Sequence, residues 1–116
     1  MAAVKYLIPI CGDDAAELST EDGAAIDEAA QSWDAEMTRR GVLLDANRLR
    51  SASDAATLRV RDSDVLISDG PIAETKEQIA GYVLIDCADM DEAIALVSTH
   101  PLAELGAVEV RPLSTR

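Results

Sequence analysis

The 116-residue chain has few of the side chains that bind nucleic acid. It contains no phenylalanine, and its aromatic content is 3%, so few side chains could stack on nucleobases. Positive charge is also scarce, because 10 Lys and Arg face 22 Asp and Glu for a formal net charge of −12. Phosphate repels such a chain, which argues against DNA, RNA and anionic membranes as partners.

Cysteine and long apolar runs are equally scarce. Cys11 and Cys87 are the only cysteines, and without CxxC spacing they predict buried thiols rather than a metal cage or a disulfide framework. No window reaches the roughly 20 apolar residues of a membrane span, and residues 1–5 lack the basic start and apolar stretch of a signal peptide. We therefore expect a cytoplasmic protein that needs no cofactor or metal. Its 48% hydrophobic content suits a single packed domain over residues 1–116.

The first 41 residues predict a strand followed by a long helix. The short apolar run at 4–10 is typical of a strand. Proline gives no ladder hydrogen bond, so Pro9 predicts that the pairing ends there or that the stretch lies at an edge. The helix is expected to run to about Arg40, with Gly41 placed to terminate it. Its buried stripe recurs at helical spacing: Ile26, Ala29, Ala30, Trp33 and Met37.

The remaining residues predict five further strands and a second helix. The strands are expected at 42–44, at 57–61 and 64–68 as a hairpin with a tight turn at Asp62–Ser63, at 79–85 and at 107–111. Asp89 is a plausible N-cap for the second helix, which His100 and Pro101 end. Two right-handed crossovers then place both helices on one face of an antiparallel sheet. This is the α+β, ferredoxin-like split βαβ arrangement with an extra hairpin.

One face of this sheet is left bare. Residues 82–85 are apolar in succession, and neighbours on a strand point to opposite faces, so both faces there require burial. A second subunit is the simplest cover, because stacked sheets would hide more apolar area than a soluble monomer usually exposes. The sequence therefore predicts a homodimer.

A long motif carries a family resemblance. The string from Asp69 to Gln78, DGPIAETKEQ, followed by Gly81 and Tyr82, resembles the signature of DGPF-type proteins within the YCII-related family. Lys5-Tyr6, residues 60–62 and residues 108–112 also follow the family pattern in the same order, so the likeness covers essentially the whole chain. It implies a dimeric α+β barrel of ferredoxin-like subunits and an undefined activity.

The chain departs from the family pattern at three places. Ile72 replaces the aromatic fourth residue of the motif, and 9–11 stands where an aromatic residue followed by glycine is usual. The broader family is associated with a His–Asp pair, whereas the single histidine here, His100, has no matching position. Ile72 is therefore expected to supply an aliphatic wall where the family has an aromatic one.

The motif also supplies the candidate site. Asp69 is expected at the mouth of a cleft, as a general base or as an acceptor for a ligand hydroxyl or amine. Gly70 and Pro71 would position it, although a plain turn explains all three residues equally well. Lys76 could anchor a carboxylate, and the other candidate ligand-binding residues are Glu74, Ile72 and Arg111. The alternative to ligand binding is that the charged residues of the motif are simply solvated and that Arg111 forms salt links with nearby acids.

His100 completes the candidates, as an acid or base that would titrate near neutral pH or as a structural cap. The carboxylates from Asp86 to Glu92 lack the EF-hand pattern, so no metal ligands are assigned. Two functions fit these residues. One is a small-molecule binding protein, with acid–base catalysis, whose cleft lies between sheet and helices near the DGP motif. The other is a non-catalytic interaction module, which the family resemblance links to sigma-factor-dependent transcription.

Overall fold

The structure is a computed structural model that describes residues 3–13, 20–73 and 75–115. Within these residues there are seven strands, three α-helices and one 3₁₀ turn. In chain order they are β1 (Val4–Asp13), α1 (Thr20–Arg39), β2 (Leu43–Arg48), the 3₁₀ turn (Ala52–Asp54), β3 (Ala56–Arg61), β4 (Asp64–Asp69), β5 (Glu77–Cys87), α2 (Met90–Val97), α3 (Leu102–Leu105), β6 (Ala107–Val108) and β7 (Arg111–Pro112).

The main sheet has the strand order β2-β5-β1-β6, and β7 also pairs with β1. Each of these pairings is antiparallel. The helices pack on one face, where Trp33 of α1 and Val97 of α2 are buried with Ile8 and Ile85 of the central strands. The predicted α+β ferredoxin-like fold is therefore confirmed. The hairpin β3–β4 forms a separate two-stranded sheet.

Local sequence signals set several boundaries. Gly41 follows α1 with a φ of 74°, in the left-handed region that glycine adopts without cost. Asp89 caps α2 as predicted, because its Oδ1 accepts the Glu92 N–H at 2.9 Å. Asp62 and Ser63 have φ values of 51° and 69°, as a type I′ hairpin turn requires.

Pro9 lies in a central strand, which differs from the prediction. Its pairing with Tyr82 of β5 continues through the proline. The missing N–H affects the other side of β1. There the Pro9 carbonyl accepts the Glu109 N–H at 3.1 Å, but the Pro9 nitrogen has no hydrogen to donate in return. The expected strand 107–111 is consequently two short strands on either side of this gap.

The hairpin makes the molecule extended. The radius of gyration is 16.2 Å, whereas a compact domain of this length has about 13 Å. At its base the hairpin is closed by one further backbone bond, which the Gly70 N–H donates to the Ala55 carbonyl at 2.7 Å. The Thr57 hydroxyl also donates to the Gly70 carbonyl at 2.8 Å. Beyond this base its apolar side chains remain exposed.

Candidate functional site

A cavity of about 520 Å³ lies between α1 and the helix-bearing side of the sheet. One wall is α1, whose side chains enter at spacings of three and four residues. The floor is formed by β1, β2 and β5, and the far wall by α3 with the residues around it. Much of the lining is aliphatic: Ile10, Ile26, Ala30, Leu49, Val83, Leu102 and Leu105. The size and the lining are those of a small-molecule site.

Gly81 lets two strands meet closely at the floor of this cavity. A Cβ atom there would lie 2.8 Å from the Asn47 carbonyl oxygen of β2, too close for any side chain. The glycine of the Gly81-Tyr82 pair in the motif thus has a packing role. It keeps the floor open and β2 in register.

Asp34 brings a carboxylate into the cavity wall. It occupies the same face of α1 as Ile26 and Ala30, and its Oδ1 is buried with no hydrogen-bond partner among the described residues. Burial raises the pKa of this carboxyl, because the charged form loses its hydration. A buried acceptor without a donor is costly, so a donor brought within hydrogen-bond distance of this oxygen would be stabilising.

His100 lines the opposite side of the cavity. Its ring is buried, and burial lowers its pKa, so the imidazole is neutral at pH 7. The Leu102 N–H donates to Nδ1 at 3.1 Å, which leaves the proton of the neutral ring on Nε2. His100 therefore caps the start of α3 with one nitrogen and keeps an N–H donor on the other.

Trp33 holds His100 in place. The two rings meet edge to face with centroids 4.9 Å apart. The indole N–H donates to the Thr99 hydroxyl at 2.8 Å, and that hydroxyl donates to the Leu96 carbonyl at 2.7 Å. Because Trp33 precedes Asp34 on α1, this contact also fixes the helix that carries the carboxylate.

An ion pair lies between α1 and β2 at this cavity. Nη1 of Arg48 lies 2.7 Å from Oδ1 of Asp27, and both residues line the cavity. The Arg48 side chain is largely exposed and that of Asp27 is about half exposed, so the pair adds little to stability. It does join two of the cavity walls.

The DGP motif lies away from this cavity. Asp69, Pro71 and Ile72 line a shallow depression of about 370 Å³ at the base of the hairpin, with Thr57 and Arg59. Gly70 has a φ of 96°, as the turn interpretation expects. The structure thus brings Asp69 together with two motif residues and separates it from His100.

The other predicted ligand-binding residues are dispersed. Lys76 is exposed at a bend before β5, and Glu74 lies outside the described residues. Arg111 lies on β7, where its Nε is 2.7 Å from the Glu109 carboxylate. Gln78 orders the connector between Pro71 and β5, because its side-chain amide donates to the carbonyls of Ala73 and Thr75 at 2.8 Å.

Sequence reasoning missed Asp34. The signal was present, because a carboxylate at position 34 continues the four-residue spacing of Ile26 and Ala30. An acidic residue on an otherwise apolar stripe is unusual on an ordinary core-facing helix. Only the structure shows that the stripe lines a cavity at this point.

In the described ranges, no three His, Cys, Asp or Glu side chains gather closely enough to hold a metal ion. Cys11 and Cys87 are both free thiols there. No helix among the described residues is long and apolar enough to cross a membrane.

Comparison with known proteins agrees with this architecture. The profile of the YCII-related domain matches residues 4–115. The chain belongs to the YCII-related family. An uncharacterized protein of Rhizobium meliloti (strain 1021) is 46% identical over 71 residues, in a match that covers 58% of this chain and 56% of that protein. The chain therefore matches little more than half the length of this relative. Because the relative is itself uncharacterized, the match assigns no activity to this YCII-related chain.

Proposed function

We propose that this protein binds a small organic molecule in the cavity between α1 and the sheet, with Asp34 and His100 as an acid–base pair. The observation that carries the proposal is the buried, unpartnered Oδ1 of Asp34 in a cavity with aliphatic walls. A second buried titratable group, His100, lines the same cavity. Paired groups with pKa values shifted by their surroundings are typical of acid–base sites.

The two groups have complementary roles. A carboxyl with a raised pKa accepts a proton more readily than an ordinary aspartate, so Asp34 acts as the base. Neutral His100 donates a hydrogen bond from Nε2, and this would stabilise negative charge that develops on a ligand oxygen. Proton abstraction beside a carbonyl or from a hydroxyl group is the chemistry that such a pair supports.

The lining also defines the ligand class. The aliphatic walls favour an apolar body, and the Asp34 carboxylate requires a hydroxyl or amine donor. An oxygen acceptor on the ligand would match the Nε2–H of His100. We therefore favour hydroxylated ring compounds or hydroxyketones small enough for about 520 Å³.

A thermal-shift screen of such compounds tests this proposal, because a ligand that binds only the folded state raises its apparent stability. Asp34→Asn should reduce the affinity for any hit by about 10-fold or more, the scale of one hydrogen bond to a charged group. Glu36→Gln is the matched control, since Glu36 lies on the same helix but pairs with Arg39 in solvent. Equal affinity in all three proteins would contradict the proposal.

The depression at Asp69 is the second candidate binding site. Its support is the concave placement of Asp69 beside Thr57 and Arg59, with Ile72 as an apolar wall. Asp69→Asn keeps the turn-forming side chain and removes the charge. Loss of affinity in that variant alone would favour this site. If no compound stabilises the protein, the interaction-module hypothesis, including its link to sigma factors, gains support.

We also propose that the protein is a homodimer. The sheet face opposite the helices, here called the open face, carries partly exposed apolar residues on both central strands, Leu7 and Pro9 on β1 and Leu84 on β5. Light scattering that gives a monomer mass at micromolar concentration would exclude this assembly.

A further inference from the structure

Two arginines line the exposed part of the cavity between α1 and the sheet. Residues 47–51 all line the cavity and are all exposed, and they are here called the mouth. The side chains of Arg48 and Arg50 are 77% and 87% exposed, whereas His100 is a buried lining residue. One lining acid, Asp27, pairs with Arg48. The mouth and this acid together therefore carry net positive charge, in a chain whose formal charge is −12.

Both guanidinium groups have donors left for a ligand. A guanidinium carries five N–H groups. Among the described residues, the Arg48 side chain donates one hydrogen bond, from Nη1 to Asp27 at 2.7 Å, and Nε of Arg50 lies 3.2 Å from the Asp54 carboxylate. Exposed ion pairs of this kind contribute little to stability, so a ligand carboxylate can replace Asp27 on Arg48 at small cost.

Two turns of α1 separate the mouth from the buried carboxylate of Asp34. Asp27 and Asp34 are both cavity-lining residues of α1, seven positions apart, which corresponds to about 10 Å along the helix axis. A ligand that donates to Asp34 and also reaches Arg48 must therefore hold its two polar ends about that far apart. A hydroxylated ring with a short alkyl chain has this length.

A negative charge on the ligand is favoured at the mouth and disfavoured in the interior. A second carboxylate beside Asp34 would add like-charge repulsion. An exposed guanidinium can pair with a carboxylate without removing it fully from water, which avoids the cost of a buried charge. Its planar shape also matches a carboxylate in bidentate geometry. The neutral part of such a ligand would therefore enter the cavity, and its anionic end would remain at Arg48 and Arg50.

We propose that the ligand is a hydroxylated carboxylic acid whose hydroxyl group donates to Asp34 and whose carboxylate binds Arg48 and Arg50. The inference rests on the proposed function of the cavity and adds the charge and the length of the ligand. Asp27 competes with the ligand carboxylate for Arg48. Binding thus exchanges an ion pair within the protein for an ion pair with the ligand.

A matched pair of probes tests the charge. The probes are 4-(4-hydroxyphenyl)butanoate and its primary amide, titrated by calorimetry at pH 7. Wild type should bind the acid about 10-fold more tightly than the amide, because a carboxylate accepts charge-assisted hydrogen bonds from the arginines. This advantage should shrink between 0.15 M and 0.5 M NaCl, since salt screens exposed charges.

Two substitutions at the mouth should have opposite effects on the acid. Arg48→Gln should weaken its binding about 10-fold, and Asp27→Asn should tighten it about 3-fold, because the guanidinium is released from its internal partner. Binding of the amide should change by less than about 2-fold in either variant. Arg39→Gln is the matched control, because Arg39 is an exposed arginine that pairs with Glu36 on α1 outside the cavity lining.

The Asp27–Arg48 pair has a purely structural alternative, in which it only joins the two cavity walls. Both variants would then shift the affinity in the same direction, and they would do so for the acid and the amide alike. That result would overturn the proposal. All three substituted side chains are at least partly exposed, so each variant should melt within about 2 °C of wild type.

The remaining outcomes separate this inference from the proposed function. Equal binding of acid and amide, with both weakened by Asp34→Asn, would overturn the carboxylate site and leave the cavity as the binding site. An amide that binds more tightly than the acid would also overturn it. If neither probe binds at millimolar concentration, this ligand class is wrong, and the wider screen still tests the cavity itself.

Discussion

Gly106→Ala should destabilise the fold strongly, because Gly106, directly after α3, packs against the backbone at the end of β1. A Cβ atom there would overlap the Cys11 carbonyl oxygen and would lie 3.3 Å from the Gly12 Cα. These neighbours are backbone atoms of a paired strand, so no side-chain rotation can relieve the overlap. Only a shift of α3 or of the β1 end would make room.

The size of the effect follows from that geometry. Overpacking in a well-packed region costs about 1–3 kcal/mol, and a clash with backbone belongs at the top of that range. At this chain length 1 kcal/mol corresponds to roughly 4 °C in Tm. We therefore expect Gly106→Ala to lower the Tm by about 12 °C.

Gly23→Ala is the matched control, because Gly23 lies within α1 and a Cβ there meets nothing within 4 Å. The same chemical change should raise stability by about 0.5–1 kcal/mol through helix propensity. Thermal unfolding followed by circular dichroism distinguishes the two signs. A Gly106→Ala protein that melts within about 2 °C of wild type would refute the packing of α3 on β1.

Three further predictions concern the titratable groups and the thiols. Burial raises the pKa of Asp34 above its ordinary value of 3.8, so Asp34→Asn should be more stable than wild type in urea unfolding at pH 7. The difference in the free energy of unfolding should vanish as the pH falls through the folded-state pKa towards 3.8. A variant that is less stable than wild type at pH 7 would contradict the buried charge. Burial lowers the pKa of His100 below 6.5, so wild type should lose stability as the pH falls below 6.5, because the unfolded chain binds a proton there more readily than the folded chain. His100→Gln should lack this part of the pH dependence. NMR titration of the single histidine should show the lowered pKa directly. Chelator and reductant together should leave the Tm unchanged, since both cysteines are free, and a drop of many degrees would reveal a structural metal or bridge.

The sequence predicted the features that depend on local chemistry. Asp62–Ser63 marked the hairpin turn, Asp89 the cap of α2, and Gly41 the end of α1. Each of these residues acts through its own backbone or its immediate neighbours. The order of elements then limited the topology to the ferredoxin-like arrangement, since few connections are physically allowed.

Features that depend on distant partners were missed. The short helix α3 has four residues, too few for a helical period to show. Asp34 is distinctive only because the sheet and α3 enclose a cavity beside it. The motif drew attention to Asp69, yet the strength of a sequence signature does not indicate which of two concave surfaces binds a ligand.

Chemical-shift mapping with the best-binding compound of the thermal-shift screen tests the central claim most directly, because it compares the two candidate sites in one spectrum. If the cavity is the binding site, the ¹H–¹⁵N signals of Ala30, Asp34, Gly81 and Leu102 should move in proportion to occupancy. The signals of Asp69, Gly70 and Ile72 should stay in place. Shifts confined to those three residues and Lys76, with the cavity signals unmoved, would contradict the account and show that the ligand binds at the DGP motif.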